Sequence, residues 1–238
     1  MKKKNIFIIY LLCLLIIIVN IISTINHSND DSHLIRIDKN FNTVLTKIII
    51  IGDSRMDLLN REKETLHIPN NIMFIARSGA RIIWLDKVAI PLLREELNNK
   101  NSKYKYMVLF NLGVNDINSD AKPSDIARDY LIIYNNIIFE NPDVNFYFLS
   151  VNPIDEKIIN NYFHNQKRTN KRIEEFNQYI ISSIKKYNNI SYCDSYNDLN
   201  INFYDGLHFD FQTNKSILYY LINDCFRLNN FYKIKTYN

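Results

Sequence analysis

The sequence predicts a three-layer α/β/α domain built on a five-stranded parallel sheet. Three observations predict it: five short runs are apolar on successive residues, helix-period segments separate them, and polar residues of chemical interest follow the ends of several runs. Strands covered on both faces read as continuous β-branched or aromatic runs, not as alternating ones. The runs are Lys47–Ile51, Ile72–Ala76, Tyr106–Leu112, Asn145–Val151 and Ile190–Cys193. Helices are expected over Val88–Asn98 and over Asp125–Phe139, the latter after the start signals Pro123 and Ser124. A third covers Lys171–Tyr187, where Ile173, Phe176, Ile180 and Ile184 recur at helical spacing. A last one covers Thr213–Phe226, with Ile217, Tyr220, Leu221 and Cys225 on one face. Strands alternating with helices give a parallel sheet with helices on both faces and right-handed crossovers. In such a sheet the ligand site lies beyond the carboxyl ends of the strands.

The length of 238 residues suits one such domain, 45–238, with an appendage. Residues Ile6 to Val19 are apolar without interruption and follow Lys2, Lys3 and Lys4. With Ile21 and Ile22 beyond a single Asn20, the stretch reaches the lower end of the ~17–25 residues that span a bilayer. The lysines set the cytoplasmic side, so the rest of the chain is expected outside the cytoplasm. Residues 1–23 are therefore read as a transmembrane anchor or signal segment, with an uncleaved anchor favoured because no small-x-small cleavage site follows Ile22. Residues 24–44 are read as a polar spacer. The three lysines supply most of the net charge of +4, which leaves too little basic excess elsewhere for a nucleic-acid surface. The cluster Lys167, Arg168, Lys171 and Arg172 is read as the solvated start of a helix. Of the three cysteines, Cys193 and Cys225 fall in the domain; neither has a CxxC partner or zinc spacing, and both are expected as buried small hydrophobes, not as a bridge.

The chemistry sits at the strand ends. The first run closes on Gly52-Asp53-Ser54, a turn that exposes a serine hydroxyl. A free serine is a weak nucleophile and needs a base with an orienting acid behind it. After the fifth run comes Asp205-Gly206-Leu207-His208. There His208 can take the proton of Ser54, and Asp205 can orient the imidazole and balance its charge. The third run ends in Gly113-Val114-Asn115-Asp116, whose Asn115 amide can stabilise an oxyanion. The second is followed by Gly79, where a backbone N–H can approach a substrate closely. Trp84 and the many tyrosines are expected in the core or as ordinary surface residues, and His164 as an exposed surface histidine. No metal or organic cofactor is required.

These four blocks, in this order, resemble the SGNH hydrolases, also called GDSL-type esterases and lipases. The resemblance covers about residues 46–226. It implies the flavodoxin-like fold of that family, with Ser54 as nucleophile, His208 as base and Asp205 as its partner. The oxyanion hole it implies is built from the Ser54 N–H, the Gly79 N–H and the Asn115 side chain. Arg55 stands where a small or hydrophobic residue is common, which argues against lipase-like substrates. The expected activity is hydrolysis of short acyl esters, acetyl foremost, on an extracellular or cell-wall carbohydrate. An O-acetyltransferase using the same acyl-enzyme is the first alternative, and a non-catalytic glycan-binding surface protein is the second.

Overall fold

The computed structural model describes residues 45–185 and 187–228. The expected N-terminal hydrophobic helix and spacer lie outside the described residues. Among the described residues, no helix is long and apolar enough to cross a membrane.

The chain runs through β1 (Leu45–Gly52), α1 (Ser54–Arg61) and β2 (Ile72–Ala76). Helix α2 follows as Ile82–Trp84, a π-helical turn at Leu85–Ala89, and Ile90–Asn98. Then come β3 (Tyr104–Asn111), α3 (Pro123–Glu140), β4 (Asn145–Leu149) and the single turn α4 (Ile159–Tyr162). The chain continues with α5 (Asn170–Ile184), β5 (Ile190–Cys193), the single turn α6 (Ser195–Asp198) and α7 (Phe211–Tyr220), which runs on into a π-helical turn at Leu221–Cys225. The five strands are parallel and ordered β2-β1-β3-β4-β5. Helix α2 begins earlier than the periodicity indicates, because the π turn shifts the apolar stripe partway along it.

The run at β1 is apolar on both faces because both are covered. Ile48, Ile49, Ile50 and Ile51 are all fully buried. Successive side chains of a strand point to opposite faces. Ile49 and Ile51 share one cluster with Val108, Phe110 and residues of α2, α3 and α5. Ile48 and Ile50 lie on the opposite face, to which right-handed crossovers assign α1 and α7.

One expectation is corrected here. Cys193 and Cys225 are buried, but they form a disulfide. Edge strand β5 and the end of the last helix bring their Cα atoms to 5.3 Å, within the usual range for a bridge. Their 32-residue separation leaves no local signature of the pairing. Closing a loop of that length is expected to stabilise the domain by about 4 kcal/mol. Urea unfolding of the oxidised protein should therefore show a clearly higher midpoint than that of Cys193→Ser. Equal midpoints would mean that the bridge contributes nothing.

The sheet order reverses beside β1, between the connection to β2 and the connection to β3. Gly52 pairs with Ala76 on one side and with Asn111 on the other. The carboxyl ends of β1, β2 and β3 are thus level, and the residues after them meet in one crevice. That is where an open α/β sheet binds its ligand.

Candidate active site

Ser54 is the first residue of α1, two positions past the end of β1. Asp53 caps this helix: its Oδ1 accepts from Arg55 N at 3.0 Å. The cap fixes the turn and leaves the Ser54 N–H among the orphan donors of the first helical turn. Burial raises the Asp53 carboxyl above its usual range, against the pull of the neighbouring Arg55 charge and its backbone N–H.

His208 and Asp205 come from the loop between α6 and α7. His208 Nε2 lies 2.9 Å from Ser54 Oγ, and His208 Nδ1 lies 2.6 Å from Asp205 Oδ2. With the Nδ1 proton on the Asp205 side, Nε2 is free to accept from the serine hydroxyl. The other carboxylate oxygen, Asp205 Oδ1, accepts from His208 N at 2.7 Å and Leu207 N at 2.9 Å. Burial raises the Asp205 carboxyl, but these hydrogen bonds outweigh it and hold the group below the usual carboxylate range. Asp205 is therefore ionised at neutral pH. Gly206 makes the bend at φ +84°, and a Cβ there would stand 2.5 Å from Ile159 N, so the loop packs against α4 by backbone.

Asn115 and Gly79 follow the ends of β3 and β2, the strands on either side of β1. Asn115 Nδ2 donates to Ala80 O at 3.0 Å, and Ile82 N donates to Asp116 Oδ1 at 3.4 Å. These two bonds tie the loop after β2 to the loop after β3. An amide NH₂ carries two protons. The second Asn115 N–H makes no protein hydrogen bond among the described residues. Gly79 adopts φ +72° and faces open space. Its N–H is likewise uncommitted.

Two arginines hold this constellation, and sequence reasoning misjudged both. Arg55 is 2% exposed and does not line the crevice. It donates to Leu207 O at 3.1 Å, Asn152 O at 2.7 Å and Pro153 O at 2.9 Å, and sits 4.5 Å from the centre of the Phe209 ring. It thus ties the helix of Ser54 to the loop of His208. Burial lowers its pKa to about 10, so it remains charged. An argument about substrates from Arg55 has no basis in this position. Arg168 corrects the reading of residues 167–172 as a solvated helix start. It is 8% exposed and donates through Nε to Val114 O at 2.8 Å, through Nη2 to Asn115 Oδ1 at 3.1 Å, and through Nη1 to Gln166 Oε1. Arg172 donates to Ile117 O, Ser119 O and Ala121 O. Only Lys167 and Lys171 face solvent. His164 is exposed, as expected.

No family model and no curated protein matches this chain. Solved structures do match it. A GDSL-like lipase from Bacteroides thetaiotaomicron superposes with a TM-score of 0.57, at 16% identity over 84% of this chain and 95% of its own. This is the GDSL-type hydrolase fold. A carbohydrate acetylesterase from Sinorhizobium meliloti has the same fold, with a TM-score of 0.58 at 14% identity over 77% of this chain and 99% of its own. So does a carbohydrate esterase family 3 protein from Talaromyces cellulolyticus, with a TM-score of 0.55 at 17% identity over 82% of this chain and 100% of its own. In the GDSL-type fold of this chain, the crevice at the ends of β1, β2 and β3 holds Ser54, His208, Asp205, Asn115 and Gly79.

Proposed function

We propose that this chain is a serine carboxylic-ester hydrolase that removes short acyl groups, acetyl foremost, from carbohydrate. The observation that carries the reading is the unbroken relay from Ser54 Oγ through His208 to an ionised Asp205, at 2.9 and 2.6 Å. Ser54 Oγ attacks the ester carbonyl carbon while its proton passes to His208 Nε2. The oxyanion is held by the N–H groups of Ser54, Gly79 and Asn115. The bond to the alcohol oxygen then breaks, and His208 returns the proton to that oxygen. Water attacks the acyl carbon while His208 takes its proton; the bond to Ser54 Oγ then breaks, His208 returns the proton to Oγ, and the carboxylic acid leaves. Asp205 balances the imidazolium at both stages.

Two of the three solved structures described above are carbohydrate esterases, which supports a carbohydrate ester as substrate. The Cys193–Cys225 bridge supports a site of action outside the cytoplasm, since disulfides persist in oxidising compartments. The apolar run Ile6–Val19 behind three lysines supports attachment to a membrane there. The test is acetate release by the full chain from acetylated xylo-oligosaccharides, compared with cleavage of p-nitrophenyl palmitate. Acetate release with negligible palmitate cleavage is expected. Faster cleavage of the long-chain ester would overturn the short-acyl assignment.

A further inference from the structure

His208 Nε2 stands 2.9 Å from Ser54 Oγ and must hand its proton to the leaving alcohol. The alcohol half of the ester therefore lies on the His208 side. There the surface opens into a groove of about 440 Å³, lined by Glu62, Ser78, Tyr204, His208, Phe211 and Asn214 among others. That volume lies within the ~300–1,000 Å³ of small-molecule sites.

Two aromatic rings are presented to the groove. Tyr204 is 78% exposed and Phe211 is 39% exposed. Neither position is loose. Tyr204 N donates to His208 O at 2.8 Å, and Phe203 bridges Phe209, so the Tyr204 backbone is indexed to the histidine itself. Phe211 opens α7 directly after its cap, Asp210, whose Oδ1 accepts from Thr213 N at 2.7 Å. The polar lining is acceptor-rich. Glu62 Oε2 accepts from the buried Asn214 Nδ2 at 3.0 Å, which fixes the carboxylate and leaves its second oxygen uncommitted. Glu62, Asp205 and Asp210 line the groove, and no lysine or arginine does.

This combination selects among alcohols. A hydrocarbon alcohol would strand the Glu62 carboxylate against apolar surface. A phosphorylated or uronic-acid alcohol would meet three carboxylates and no cation. A neutral sugar ring has apolar C–H faces for aromatic rings and hydroxyl donors for a fixed carboxylate.

We infer that this groove is the subsite for the alcohol half of the ester. It takes a pyranose ring of a neutral or N-acetylated glycan, stacked on Tyr204, with Glu62 accepting from a ring hydroxyl. The inference rests on the carbohydrate-esterase reading above and adds where the sugar sits and which charge class it has.

The test measures kcat/KM of the full chain for acetylated xylo-oligosaccharide and for ethyl acetate, and takes the ratio of the two. Ethyl acetate has an alcohol too small to span the groove. For Tyr204→Ala the ratio is expected to fall about tenfold, with the loss in KM, while Tyr204→Phe keeps it within about twofold. For Glu62→Gln the ratio is expected to fall several-fold, and cleavage of an acetylated oligouronide to improve relative to the neutral sugar. A ratio unchanged in both Tyr204→Ala and Glu62→Gln, with the wild type active on the oligosaccharide, would overturn the subsite and leave the esterase reading standing. A wild type that cleaves ethyl acetate but no acetylated oligosaccharide would overturn the carbohydrate reading, and this subsite with it.

Discussion

Ser54→Ala is expected to lower kcat for acetyl esters by about 10⁴- to 10⁶-fold, since removing a triad nucleophile leaves only substrate positioning and the oxyanion donors. Stability should change little. Among the described residues the Ser54 hydroxyl has one partner, His208 Nε2, and a neutral hydrogen bond contributes about 1 kcal/mol. Alanine suits the first turn of a helix. The cap that fixes the turn belongs to Asp53 and is untouched. The matching measurement is covalent labelling. A serine-directed phosphonate should add to the wild-type chain at Ser54 and leave the variant unmodified, while the two melting curves coincide. Retention of a tenth of the wild-type rate by Ser54→Ala would remove the serine from the mechanism. The pairing of Asp205 with His208 adds a pH dependence with a definite sign. The folded-state pKa of Asp205 is depressed, so its contribution to stability is present above the usual carboxylate value of 3.8 and is lost as pH falls through the folded value. Asp205→Asn should remove that acid-side dependence from the unfolding midpoint.

The parts of the fold and site that could be read locally share one property: the signal for each lies within a few residues. The run Ile48–Ile51 is continuous because both faces of β1 are covered, and that fact is visible in four letters. Ser54, Gly79 and Asn115 each lie two to four residues past a strand end, so placing the strands placed them. Asp205 and His208 are three residues apart, close enough to read as one unit. What could not be read depends on contacts made late in the chain. Arg55 is separated from Leu207 by 152 residues, and Arg168 from Asn115 by 53. No local pattern encodes such pairs. A long basic side chain between polar neighbours looks solvated unless the fold supplies carbonyls to receive it. The cluster at 167–172 is a case in point: α5 begins at Asn170, so Lys167 and Arg168 lie in the loop before it and no helical periodicity relates them to Lys171 and Arg172. The two arginines turn inward, as the more weakly hydrated cation with a planar fork of donors can.

The inward-turned Arg168 carries the second large effect. Asn115→Ala is expected to lower kcat by about 10²- to 10³-fold with KM nearly unchanged, because an oxyanion donor acts in the transition state and not on the bound ester. Arg168→Ala should move kcat in the same direction by about 10- to 10²-fold without touching the substrate. The Arg168 fork binds the Asn115 carbonyl oxygen at 3.1 Å while Ala80 O takes one amide proton at 3.0 Å. Together they determine which end of the amide faces each way and where the remaining N–H lies. Without the guanidinium, the amide can rotate and present its carbonyl to the oxyanion, and a lone pair there repels what the N–H would have held. Arg168→Lys supplies charge without the fork and should fall between wild type and Arg168→Ala. Loss of a buried arginine also destabilises, so a lower melting point alone decides nothing. The double-mutant cycle does. If Arg168 works through Asn115, Asn115→Ala with Arg168→Ala should be no slower than Asn115→Ala alone. Additive losses in kcat would show that Arg168 acts on catalysis by some route other than the orientation of this amide.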